Sequence, residues 1–210
     1  SGMAALAAVI ILGPRKGFGR ESFIPHSLPM TLLGTGLLWF GWFGFNGGSA
    51  LAANGIAATA FISTHLAGMS GMGMWLLVEW VHRKKPTTLG AASGAIAGLA
   101  TVTPAAGFIS PNSAVIIGLI AGFCCYAAVT FKNRIGFDDS LDVVGIHGMG
   151  GVIGTICLGL FATKSVNPSG ADGLFAGNAS FLATQLFGVA VVGTYAFVIS
   201  IILLKITDIL

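Results

Sequence analysis

Apolar residues run in long blocks through this chain, and polar or Gly/Pro-rich punctuation is confined to short intervals between them. The intervals read "GPRKGFGRESFIPHS", "GGSALAANG", "HRKKPTT", "GFISPNS", "KNRIGFDDS" and "TKSVNPSGADG". About 20 apolar residues cross a bilayer as a helix, and the blocks are of that length. The pattern predicts a partial helix over 1–12. Six spans follow near 28–46, 56–82, 88–107, 113–132, 142–162 and 180–207, all within one transmembrane domain over 1–210. The expected fold class is all-α, a polytopic membrane protein built as a transmembrane helix bundle.

Composition supports lipid as the solvent. Only 8% of residues are charged and 55% are hydrophobic, whereas a soluble domain of this size carries about 25% charged residues. The net charge of +3 is too small to point to nucleic acid. Its distribution says more. With six spans after the first partial helix, Arg15, Lys16, Arg20, Arg83, Lys84, Lys85, Lys132, Arg134 and Lys205 fall on one side, and Lys164 alone falls on the other. Positive charge collects on the cytoplasmic side, so that side and the C-terminus are expected to be cytoplasmic. The chain opens "SGMAALAAVIILG" with no basic stretch before the apolar run, which reads as the tail of a helix and not as a signal peptide. Leu210 falls where a last helix would exit, so a fragment is expected.

Six helices with short loops leave little mass outside the membrane, which argues against a catalytic domain. Cys124, Cys125 and Cys157 lie in apolar runs without metal-ligand spacing and read as small apolar fillers. No cofactor or metal is expected. Gly-x-x-x-Gly recurs at 44/48, 94/98, 118/122 and 150/154; small residues at this spacing let helix backbones approach closely in lipid.

Candidate chemistry starts with His147, an imidazole inside the apolar stretch "DVVGIHGMGGVIGTICLGLFA". Ionisable groups within a membrane are costly and usually face a cavity or a partner. His147 reads either as a packing histidine bonded to a neighbouring helix or as a pore-lining ring, for which Gly145, Gly148, Gly150 and Gly151 make room. In "LLWFGWFGFNGGSALAANG" five aromatic residues crowd a helix end before Asn46, Gly47, Gly48 and Ser49. This is either an interfacial aromatic belt or a vestibule in which aromatic faces attract a small cation and Ser49 accepts its hydrogen bond. Trp42 and Phe45, three apart, share one helical face. Asp138, Asp139 and Asp142 precede the His147 helix and read as N-terminal caps. Glu79, His82 and the Arg83–Lys85 run sit at a helix exit where solvation suffices. His65 lies deeper and reads as a hydrogen-bonding partner between helices or subunits; His26 reads as a loop residue.

The stretches "PHSLPMTLLGTGLLWFGWFGFNGGSA", "GAIAGLATVTPAAGF" and "DVVGIHGMGG" closely resemble the ammonium transporter (Amt/MEP/Rh) family, of the Amt type. The resemblance implies an eleven-helix subunit built as an inverted repeat around a pore, with this chain as its second half, from the end of the fifth helix to the eleventh. It implies a homotrimer in the cell (plasma or inner) membrane, ammonium or ammonia as the cargo, and a missing N-terminal half. It makes His147 the tenth-helix member of a lumenal histidine pair, Ser49 the vestibule serine, Phe45 a gate phenylalanine and Trp42 a pore-lining tryptophan. Asp142 matches an acidic position opening the tenth helix. The fifth-helix histidine, the other gate phenylalanine and the vestibule tryptophan belong to the missing half. The family also implies an alternative, an ammonium sensor coupled to a cytoplasmic regulatory protein or signalling domain.

Overall fold

The computed structural model describes residues 1–21 and 23–209. Among them the regular structure is helical: α1 Gly2–Leu12, α2 Leu28–Gly48, α3 Gly55–Arg83, α4 Thr88–Val102, α5 Pro111–Arg134, α6 Met149–Phe161 and α7 Ala179–Ile209. Five stretches are long and apolar enough to cross a membrane: α2, α3, α5, Val144–Phe161 and α7. The exit expected at Leu210 lies outside the described residues.

The polar intervals start helices because their side chains accept the N–H groups that a first turn leaves free. Ser27 accepts from Met30, Asn54 from Ala57, Thr87 from Gly90 and Ser110 from Ser113. Two helices differ from the pattern. The span predicted to reach 107 stops at Val102. Pro104 has no N–H to continue the ladder, and short turns carry the chain on, with Ala105 N–H on the Val102 carbonyl and Phe108 N–H on the Ala105 carbonyl. The span predicted from 142 begins as a π-helical turn over Val144–Gly148 before α6.

The bundle is organised around α3. Its strip Ala67–Gly68–Gly71–Trp75 meets Gly98 and Gly94 of α4 in antiparallel order, and Gly118 and Gly122 of α5 in parallel order. At Gly98 and Gly118 a Cβ would run into the Ala67 backbone; at Gly122 it would meet the Gly71 carbonyl. Gly154 abuts the Thr101 carbonyl of α4 in the same way. Three of the four Gly-x-x-x-Gly pairs thus lie at helix crossings, whereas Gly44 and Gly48 have open space beside them. The core that results is small-residue packing around Leu99, Val102, Ile109 and Ile117, all fully buried. Outside it, α7 lies along α6 and α1, with Leu182 against Gly159 and Met3 beside Gly193.

Two readings of polar residues change. Glu79 is 4% exposed; solvation does not hold it. Its carboxylate accepts the Thr87 N–H at 2.9 Å and the Thr87 hydroxyl at 3.0 Å, tying the end of α3 to the start of α4. His82 Nδ1 is hydrogen-bonded to the Tyr126 hydroxyl at 2.7 Å. The three aspartates before the His147 turn do not share one role. Asp139 alone caps it, accepting from Val143, Val144 and Gly145. Asp138 pairs with Arg15, and Asp142, in the left-handed region at φ 57°, pairs with Lys132.

Candidate functional site: a line of rings ending in a polar cavity

The aromatic string of α2 divides between two faces. Trp39 and Phe43, four apart, turn toward α3, where His65 lies 5.6 and 5.7 Å from their ring centroids and Phe61 stacks on Phe43 at 4.1 Å. Trp42 and Phe45 share the other face and meet edge to face at 6.3 Å. The Trp42 ring lies almost parallel to His147, at 9° and 6.5 Å between centroids. Three of the four expected residues therefore form one line, from His147 through Trp42 to Phe45.

The π turn brings His147 into that line. Gly145 packs so closely on Val129 of α5 that a Cβ would clash with its side chain, and Gly148 faces Gly2 of α1. His147 is half-buried and borders a cavity of about 400 Å³ between α1, α6 and α7, shared with Thr155 and Gln185.

Ser49, the fourth expected residue, stands one turn beyond Phe45. It is exposed, and its hydroxyl donates to the Phe45 carbonyl at 2.8 Å. With Phe45 it lines a cavity of about 370 Å³, together with Asn46, Thr103, Asn167 and Ser169. These residues come from the C-terminal ends of α2 and α4 and from the loop after α6, the end of the bundle that carries Lys164 and not the basic loops.

Sequence reasoning missed two members of this site, Thr103 and Asn46. The early end of α4 leaves Thr103 where its Oγ1 accepts the Trp42 indole N–H at 2.8 Å, while its own proton goes to the Leu99 carbonyl at 2.7 Å. Asn46, buried, donates to Thr64 Oγ1 at 2.9 Å and to Thr103 Oγ1 at 3.5 Å. The available signal was a polar residue within the span, in "GFNGG", and a threonine directly before a proline, in "VTPA".

Most of the charge sits at the other end. Arg15 grips Asp138 through Nη2 at 2.6 Å and through its backbone N–H at 2.7 Å, which joins the loop after α1 to the loop before the π turn. The hydrogen bond from Arg15 holds the Asp138 carboxyl below the usual carboxylate range, and the same bond raises the guanidinium of Arg15. Lys132 reaches Asp142 at 2.6 Å and also the Asp139 carbonyl. Among the described residues no group of three or more His, Cys, Asp or Glu is placed to hold a metal ion.

Comparison with known proteins gives the family. The family model described as Ammonium Transporter Family matches residues 1–210. An ammonium transporter of Bacillus subtilis is 50% identical over 209 residues, covering 99% of this chain and 51% of that protein. The crystal structure of Saccharomyces cerevisiae Mep2 superposes with a TM-score of 0.92 at 38% identity, over 99% of this chain and 48% of that one. A solved structure titled "Sensor Amt Protein" superposes with a TM-score of 0.87 at 32% identity, over 99% of this chain and 52% of that one. The chain spans about half the length of the curated relatives it matches.

Proposed function

The chain belongs to the ammonium transporter family, and from that premise we propose that the intact subunit carries ammonium or ammonia across the membrane, this chain forming the second-half wall of its pore. The carrying observation is the continuous line of rings from His147 through Trp42 to Phe45, which ends at the cavity containing Ser49.

The physical route follows from the cost of desolvation. Moving an ion into an apolar medium costs many kcal/mol unless it is paired, whereas a neutral amine crosses cheaply. Ammonium gathers in the cavity, drawn by the Phe45 face, worth about 0.5–2 kcal/mol, and by the Ser49 lone pairs. It gives up its proton to solvent water at the cavity mouth beside Phe45, and neutral ammonia is left to enter. Ammonia then passes Trp42 to His147, whose neutral ring both donates and accepts hydrogen bonds. Potassium has no proton to shed and is refused. In the assembled protein His147 faces a second histidine from the other half, and three such subunits stand in the cell membrane with the basic loops and the C-terminus cytoplasmic.

The likeness to the structure titled "Sensor Amt Protein" favours a second reading, an ammonium sensor coupled to a cytoplasmic signalling domain or regulatory protein. Ammonium-driven uptake into proteoliposomes bearing the intact subunit separates the two. The transport reading predicts saturable uptake. Ammonium binding without uptake supports the sensor and contradicts transport.

A further inference from the structure

Asn46 is more tightly specified than a buried amide needs to be, and its setting shows which of its two ends faces inward. A threonine hydroxyl has a single proton. Thr64 gives its proton to the Ala60 carbonyl at 2.6 Å, and Thr103 gives its own to the Leu99 carbonyl at 2.7 Å. Both hydroxyl oxygens can therefore only accept further bonds. The one amide orientation that satisfies them presents Nδ2 to both, at 2.9 and 3.5 Å. The carbonyl Oδ1 is then turned away from the two threonines. Among the described residues it receives no hydrogen bond, and it is not among the buried polar atoms sealed off without a partner. The open space that Asn46 borders is the cavity of about 370 Å³ it shares with Ser49 and Phe45.

Ser49 is arranged in the same sense. Its proton goes to the Phe45 carbonyl at 2.8 Å, so its oxygen offers lone pairs alone. Asn46 and Ser49 are three apart on α2 and share a face. Among the polar groups lining the cavity, these two side-chain oxygens are each stripped of any N–H or O–H aimed inward and lie next to an aromatic ring. That combination suits a small cation that donates several hydrogen bonds in fixed directions.

We propose that Asn46 is a substrate-binding residue of this site: its Oδ1 accepts a second N–H of the incoming ammonium or methylammonium ion, opposite the bond to Ser49, and Thr64 and Thr103 are the positioning residues that aim it. This assignment rests on the transport reading. Because Thr103 also accepts from Trp42, one hydroxyl sets the angle of both the collecting oxygen and the ring beyond it.

The test uses the intact subunit in proteoliposomes, with initial ammonium uptake measured against concentration. Asn46→Leu removes the acceptor at similar volume, and both threonines keep their own donated bonds. A hydrogen bond to a charged partner is worth enough that its loss raises the half-saturating concentration roughly tenfold, with the maximal rate within about twofold of wild type. A fall in maximal rate at unchanged half-saturation would mark a packing role and overturn the assignment. Should Asn46→Leu fail to assemble, Thr64→Val carries the test. It keeps the side-chain shape and removes the acceptor that holds Asn46 Nδ2, so half-saturation rises at least about threefold; an unchanged or lowered value overturns the assignment. The two readings fail separately. If wild type shows no saturable ammonium uptake, the transport reading falls and takes this one with it; if wild type transports and Asn46→Leu leaves half-saturation untouched, only the assignment of Asn46 falls.

Discussion

Ser49 and His147 stand at opposite ends of the line through Trp42 and Phe45, and under the proposed transport their substitutions separate collection from passage. Ser49→Ala removes an oxygen that faces the cavity while leaving the α2 ladder intact. The expected result is an apparent ammonium affinity weakened about three- to tenfold with little change in maximal rate, read from concentration-dependent uptake. Equal half-saturation in variant and wild type would count against a collecting role. The residues on this line were legible in the sequence because aromatic and imidazole groups inside an apolar block stand out, and because "GWFGFNGGSA" and "GIHGMGG" match a family pattern. Asn46 and Thr103 were not. Their importance lies in bonds between residues 57 and 61 positions apart, which no local spacing encodes. Glu79 was misread for a related reason: a carboxylate next to a basic run looks solvated until α4 folds back and Thr87 claims it.

The π turn is the element on which the site depends. Its first N–H groups end on the buried Asp139 carboxylate, and Asp142 closes the approach in a left-handed conformation held by Lys132. Asp139→Ala leaves those donors without their acceptor, which costs about 1–3 kcal/mol. The variant should melt several degrees below wild type in detergent and lose transport, and Asp139→Asn, which keeps an acceptor oxygen, should fall between the two. Equal melting of Asp139→Ala and wild type would contradict the capping role. The helix crossings are similarly exacting. Gly98→Ala drives a methyl into the Ala67 carbonyl and Gly154→Ala one into that of Thr101; each should destabilise the bundle by roughly 1–3 kcal/mol, seen as a lower melting temperature. Helix positions were readable because bilayer length and polar punctuation set them. The π turn was not, since an inserted residue changes neither the apolar count nor the caps, and the early end of α4 was signalled by Pro104 within a run that otherwise continues apolar.

Over the whole molecule most of the charges gather at one end, and the cavity lined by Phe45 and Ser49 lies at the other. The Arg15–Asp138 pair ties α1 to the approach of the His147 turn, so its titration should appear in global stability. Asp138 is held below the ordinary carboxylate range by its hydrogen bond from Arg15. Its stabilisation is therefore complete above the unfolded carboxyl value near 4 and is lost as pH falls through the lower, folded value. The melting gap between wild type and Asp138→Asn should stay constant from about pH 8 to 5 and close only below about pH 4; a gap that closes on going toward neutral pH would contradict the pairing. The proposed selectivity also belongs to this scale, because refusing potassium would require an unbroken dry path. The most direct test of the pore is therefore the intact subunit carrying His147→Ala in proteoliposomes, with ammonium and potassium fluxes recorded side by side. Wild type should pass ammonium and exclude potassium, and the variant should lose net ammonium flux or admit potassium while assembling normally. Fluxes and selectivity identical to wild type would contradict a pore that runs past His147.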